Sequence, residues 1–146
     1  MEPKILTVPA FTAIGMKYRG KNDNNEIPKW WNVFLPRMEE IKHRTAIAYG
    51  LMGNYDPATG EFDYIAAFGV ERVNEIPQGM ERWDVPEGKY AAFSTTLTTL
   101  HKVHQHIYQE WFPQSGYQHD MRPEFELYPA DFAGGESEMF IYIPII

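Results

Sequence analysis

The chain has 146 residues, 44% hydrophobic and 15% aromatic, with 13 basic against 20 acidic side chains and a net charge of −7. That is enough for one buried core, too apolar for disorder, and of the wrong sign to hold a phosphate backbone, so nucleic acid is excluded as a direct partner and a cationic ligand is favoured. No cysteine is present, which excludes disulfides, thiol nucleophiles and thiolate zinc sites, and the lack of a signal-like amino terminus or of any apolar run near 18 residues points to a cytoplasmic protein without membrane contact.

Lys4 to Tyr18, rich in β-branched and aromatic residues around Pro9, predicts a bent strand or two short ones. Ile27, Trp31, Phe34, Met38 and Ile41 recur at helical spacing and predict a helix over Glu26 to Lys42, kinked or broken at Pro36. Ala46 to Tyr55 and Glu61 to Val73 predict two strands, joined as a hairpin by the turn Asp56-Pro57-Ala58-Thr59-Gly60. Asn74 to Gly88, punctuated by Pro77, Gly79 and Pro86, predicts a crossing loop. Lys89 to Thr96 predicts another strand; Leu100, Val103, Ile107 and Trp111 mark a second helix, capped by the preceding threonines and ended by Pro113. Arg122 to Pro129 and Met139 to Ile145 predict the last strands, either side of a Gly134-Gly135 turn.

A repeat underlies this order. Val8-Pro9 recurs as Val85-Pro86 and Pro36 as Pro113, both at an offset of 77 residues, which also carries Trp31 and Phe34 onto Tyr108 and Trp111. The spacing predicts one α+β domain over residues 1–146, built of duplicated β-α-β-β units over about 1–75 and 76–146. Such halves make a curved antiparallel sheet with two helices on one side, pseudo-twofold symmetry and a central ligand cleft. The same offset sets Tyr49 against Glu126.

Glu126 is the first site candidate. It alternates with Phe125 and Leu127 and shares a face with Tyr128. If both sheet faces are covered, its carboxylate leaves bulk water, which is costly unless hydrogen bonds or a cation compensate; the alternative is a solvated face. Trp30, Trp31, Tyr49, Tyr64, Phe68, Phe93, Tyr108, Trp111, Tyr128 and Tyr142 either fill a core or line a cage for an organic cation, where each ring contributes roughly 0.5–2 kcal/mol. His101, His104 and His106 lack a spaced carboxylate and read as a solvated helix face. No metal or other cofactor is expected, since neither a Gly-rich phosphate loop nor a Gly-x-Ser-x-Gly setting occurs.

One ordered set of motifs resembles a known family. Tyr49-Gly50, Tyr55-Asp56-Pro57, Gly60-Glu61-Phe62-Asp63-Tyr64, Ile76-Pro77-Gln78-Gly79-Met80, Val85-Pro86-Glu87-Gly88-Lys89-Tyr90, Glu110-Trp111-Phe112-Pro113-Gln114-Ser115-Gly116-Tyr117 and Phe125-Glu126-Leu127-Tyr128-Pro129 look like the gyrase-inhibitor-like (GyrI-like) effector-binding domain. The resemblance covers nearly the whole chain. It implies an effector-binding, multidrug-binding fold often attached to the DNA-binding parts of AraC-type and MerR-type regulators, here stand-alone. It also implies that Glu126 is the ligand-facing acid of a cleft for lipophilic cationic molecules; from the ring set, Trp31, Tyr49, Phe68, Trp111, Tyr128 and Tyr142 are the further ligand-binding candidates, for a small molecule expected to be cationic and aromatic. Some stand-alone members resemble hydrolases of cyclopropane-bearing alkylating compounds. In that alternative Glu126 and a tyrosine, Tyr49 or Tyr142, are catalytic. A protein partner stays open.

Overall fold

An eight-stranded antiparallel sheet, in the order β1-β6-β8-β7-β3-β4-β2-β5, organises the chain. Its strands are β1 (Lys4–Val8), β2 (Phe11–Gly20), β3 (Arg44–Gly53), β4 (Phe62–Val70), β5 (Glu81–Val85), β6 (Gly88–Thr95), β7 (Glu124–Tyr128) and β8 (Met139–Pro144). Helix α1 (Glu26–Phe34) links β2 to β3, while α2 (Leu100–His106) and α3 (Phe112–Ser115) lie between β6 and β7. The computed structural model describes residues 2–146.

Prolines shape both ends of the sheet. Pro9 cannot donate to a ladder, so the predicted bent strand breaks at Pro9-Ala10 into β1 and β2. The segment Asn74 to Gly88 is more than a loop. After a turn closed by Met80 N–H to the Pro77 carbonyl at 3.0 Å, Glu81–Val85 pairs with β2 as the edge strand β5. That strand was hidden because Pro77, Gly79 and Pro86 punctuate it so closely. Lys4↔Ala92 to Val8↔Gly88 and Phe11↔Val85 to Gly15↔Glu81 form one antiparallel ribbon with a corner at Pro9 and Pro86. Since β1 and β2, only two residues apart, fall near opposite ends of the strand order, the sheet curls until the ribbon joins its ends.

The helices also carry prolines. Pro36 stands in the first turn of a 3-10 segment, Leu35–Glu40, where its missing N–H costs little. Pro113 does not end the second helix. A π-turn at Ile107–Trp111 relieves the clash of its ring with the Gln109 carbonyl, and α3 runs on to Gly116, whose φ of 78° closes it.

Both helical regions pack on one sheet face. Phe34 and Ile41 bury against Ile14, Met16, Tyr64 and Ala66, and Val103 and Ile107 against Phe93, Ile141 and Ile143. The opposite face buries Ala13, Leu51, Ile65, Ala67 and Phe125, with Val8, Phe11 and Val85 of the ribbon corner packed among them. A solvated face for Glu126 is therefore not what the fold provides. No helix among the described residues is long and apolar enough to cross a membrane.

The register corrects one expectation. Gly50 pairs with Glu126, and Tyr49 pairs with Leu127. Between Arg44 and Ala48 the β3 strand advances four residues while β4 advances two, from Val70 to Phe68, an irregularity that leaves the alternation of faces as it was. Side chains of a strand alternate between faces, so Tyr49 lies on the face opposite Glu126.

Candidate functional site

On the helix side, three residues with little or no side chain, Ala48, Gly50 and Ala66, adjoin across β3 and β4 and lower the floor of the sheet. Around them the register sets larger groups. Gly50 pairs with Ala66 on one side and Glu126 on the other, while Ala48 pairs with Phe68 and with Tyr128. Helix α1 supplies a wall through Trp31.

Glu126 sits at the centre, only 6% exposed. Its Oε1 accepts hydrogen bonds from the Tyr64 hydroxyl at 2.7 Å and the Tyr128 hydroxyl at 2.8 Å, and the Trp31 indole N–H donates to the Tyr64 hydroxyl at 2.9 Å. The Trp31 ring meets Tyr128 edge-on, 5.4 Å between centroids. Indole, phenol and carboxylate thus form one polarised chain of donors ending on an acid.

What this acid lacks is a cation. The other deeply buried carboxylate, Asp63, 5% exposed, has Arg19 at 3.0 Å and the Asn54 amide at 2.7 Å. Among the described residues no lysine, arginine or histidine forms an ion pair with Glu126. Burial pushes its carboxyl above the usual range; the two phenol bonds and the nearby His104 of α2 oppose that, and Glu124 adds to it. Burial, then the charge of Glu126, holds the Tyr64 and Tyr128 phenols well above their ordinary range, so they stay neutral donors while the carboxyl changes charge.

Gly50 makes this arrangement possible. A Cβ there would fall on the Tyr64 hydroxyl and lie 2.6 Å from Glu126 Oε1, so only a residue without a side chain lets the phenol reach across the strand to the acid.

The other expected residues are dispersed. Phe68 lies on the Glu126 face but packs with Phe34 at 6.0 Å and under the Arg44 guanidinium at 5.4 Å. Tyr49 stacks on Phe11 at 4.6 Å, and Tyr142 on Phe125 at 4.8 Å, both on the reverse face. Burial pushes the Tyr49 phenol up to about 12. Neither tyrosine can assist Glu126 in activating water, because the sheet itself lies between them. Tyr64 and Tyr128 hold that place. Trp111 meets Phe93 edge-on at 5.2 Å and lines a separate cleft of about 540 Å³ with His106, Glu110 and the amino-terminal Pro3 and Ile5. Trp30 anchors α1 through its indole N–H to the Met16 carbonyl at 2.9 Å.

Sequence reasoning counted Tyr64 only among the aromatic rings, read His104 as part of a solvated helix face, and gave Gly50 no role in the site. Tyr64 alternates with the residues that face α1, Gly50 is a mid-strand glycine of the kind that marks close approach, and His104 sits on the helix stripe next to Val103. No group of three or more His, Cys, Asp or Glu among the described residues is arranged to hold a metal.

Residues 4–145 match Cass2, the integron-associated effector binding protein family. The transcriptional regulator BrlR of Pseudomonas aeruginosa is 34% identical over 152 residues, covering 99% of this chain and 56% of the regulator, so the chain spans about half the length of that curated relative. Among solved structures, SAV2435 bound to tetraphenylphosphonium superposes with a TM-score of 0.79 at 16% identity, covering 100% of this chain and 94% of the other. An integron cassette protein from the mobile metagenome of Vibrio cholerae gives 0.74 at 19% identity, covering 99% and 96%. These structural likenesses establish the fold.

Proposed function

We propose that this chain, which belongs to the Cass2 family of integron-associated effector binding proteins, takes up lipophilic aromatic cations against Glu126 in the cleft between its helices. One observation carries the reading: a carboxylate 6% exposed, bonded by two phenols and an indole relay, forms no ion pair among the described residues. An organic cation supplies the missing charge. Trp31, Tyr64 and Tyr128 present rings to it, each worth roughly 0.5–2 kcal/mol once water is excluded. A quaternary cation needs no hydrogen bond, so it leaves the phenol pair on Oε1 undisturbed.

Calorimetry with tetraphenylphosphonium tests the reading, because this cation is what SAV2435, which shares the fold, holds. Saturable binding by the wild type, lost in Glu126→Gln, is the expected result; equal affinity in the two proteins removes Glu126 from the site.

The reading also sets the sign of a pH dependence. Burial raises the Glu126 carboxyl, and the cation prefers the charged form, so binding expels a proton and affinity climbs as pH rises through the raised value. The groups facing the carboxyl are Tyr64, Tyr128, Glu124 and His104. Titrations in buffers of different ionisation enthalpy should show proton release in the wild type and none in Glu126→Gln. Affinity that stays flat with pH would show a carboxylate charged throughout.

A further inference from the structure

The fold repeats in space as well as in sequence. Exchanging β1, β2, β3 and β4 with β5, β6, β7 and β8 turns the strand order β1-β6-β8-β7-β3-β4-β2-β5 into its own reverse, so the offset of 77 residues locates places matched by a pseudo-twofold axis. One such pair of places is matched in position but not in content.

In the first half, the segment that leads into β5 lies against the 3-10 segment Leu35–Glu40 and the end of α1. The Arg37 guanidinium donates to the Gln78 carbonyl at 2.7 Å, Lys42 pairs with Glu75 at 2.9 Å, and Met80, 8% exposed, packs with Phe34 and Ile41. The chain itself fills the space between helix and strand. In the second half the matching space is the open cleft of about 540 Å³. Its walls are the counterparts of those residues: Trp111 for Phe34, Gln114 for Arg37, Tyr117 for Glu40, and Glu2 and Pro3 for Gly79 and Met80. Proline has no long side chain to send inward, so Pro3 leaves open what Met80 closes.

The polar groups of the cleft are correspondingly unfinished. Gln114 stands exposed where Arg37 holds a carbonyl, and His106, tied to Glu110 through Nδ1 at 2.9 Å, has its shielded Nε2 without a partner among the described residues. The charge is reversed as well. Lys29 and Val33 of the first half become His106 and Glu110, and with Glu2 the lining carries two carboxylates and no lysine or arginine. Where the first half takes up an acidic segment through Lys42 and Glu75, the second suits a basic one.

We propose that this cleft docks an extended basic peptide of a partner protein, laid over Gln114 and Trp111 as Ile76–Met80 is laid over Arg37 and Phe34. The Gln114 amide donates to a carbonyl of the peptide, an apolar side chain fills the place that Pro3 leaves open, and Glu110 faces the lysine or arginine. None of these residues belongs to the Glu126 site, so the two readings stand or fall separately.

The probes are two synthetic peptides: a copy of Val73–Met80, and the same copy carrying Glu75→Lys. Titrated into isotopically labelled protein, the lysine peptide should shift the NMR signals of the Trp111 indole and the Gln114 amide. It should bind about threefold more tightly than the unchanged copy, the scale of one exposed charge pair. Glu110→Gln should abolish that preference, Pro3→Met should fill the cleft and abolish binding of both peptides, and Glu126→Gln should bind them as the wild type does. Silence of the Trp111 and Gln114 signals at millimolar peptide overturns the proposal. So does an equal response to a scrambled peptide of the same charge, a preference that survives Glu110→Gln, or binding that survives Pro3→Met. Shifts of the same two signals with tetraphenylphosphonium alone, or on concentrating the protein without peptide, would give the cleft to a small ligand or to a second copy of the chain and overturn the proposal equally.

Discussion

Glu126→Gln is expected to lower tetraphenylphosphonium affinity about tenfold to a hundredfold, since a contact to a buried charge is worth about 1.5–3 kcal/mol. The fold should survive the change. The amide oxygen of glutamine still accepts from Tyr64 and Tyr128, now at 2.7 and 2.8 Å from the acid, and the amide fills nearly the same volume. Stability should not fall, and the sign can be worked out. The folded carboxyl is raised above its unfolded value by burial, so charging it costs the fold stability as pH rises from the unfolded value through the folded one. Glutamine never charges. The variant should therefore melt at or above the wild-type temperature at neutral pH, with the gap closing on acidification. Calorimetric titration together with thermal melts over a pH series checks both halves. A variant that loses affinity because it unfolds would instead make Glu126 part of the core, and the missing cation would have another explanation.

That pairing of lost binding with kept or gained stability is what distinguishes a group retained for a ligand from one retained for packing. Asp63 is the internal control. It is as deeply buried as Glu126, yet Arg19 and Asn54 satisfy it, and the same three together hold the end of β2 to β4 and the residue after β3. Here burial, pulling the carboxyl up, is outweighed by those partners, and Asp63 ends below its usual range. Asp63 belongs to the architecture. Glu126, with burial prevailing, waits for a partner from outside.

The sequence made part of this legible because certain residues leave the same mark wherever they stand. Pro9 and Pro86 sit at the two corners of one ribbon, Pro36 and Pro113 each follow a packed helical turn, and their common spacing exposes the paired β-α-β-β order. Alternation put Glu126 and Tyr128 on one face and Phe125 and Leu127 on the other, as the ladder has them. What stayed hidden was register. The repeat offset does not say which β3 residue faces Glu126 across the ladder; that partner is Gly50, so Tyr49 lies on the reverse face, where it stacks on Phe11. Trp111 was displaced for a related reason: a π-turn, needed to carry the helix past Pro113, changes the angular position of everything after Ile107. Residue type was readable, but which way a residue faces depends on every insertion between it and the nearest fixed point.

Gly50→Ala should combine the binding loss of Glu126→Gln with a loss of stability that Glu126→Gln lacks. The added methyl meets the Tyr64 hydroxyl and its ring carbon and comes within 2.6 Å of Glu126 Oε1. None of these can swing aside freely, since Tyr64 is 1% exposed and held by Trp31 and Glu126 is 6% exposed and held by two phenols. Overpacking of this kind costs about 1–3 kcal/mol, and part of it falls on the bond between Tyr64 and Glu126. Pushing the phenol off the acid removes one of the two bonds that oppose the effect of burial, so the carboxyl should rise further and charge at a higher pH. Tetraphenylphosphonium affinity at neutral pH should then drop to the level of Glu126→Gln or below, and recover in part under more alkaline conditions, which Glu126→Gln cannot do. Urea unfolding gives the stability change, and carboxyl NMR of a protein labelled at glutamate gives the shift. Wild-type affinity in Gly50→Ala, with an unmoved carboxyl titration, would mean that the phenol and the acid find room elsewhere and that this glycine serves only the backbone of β3.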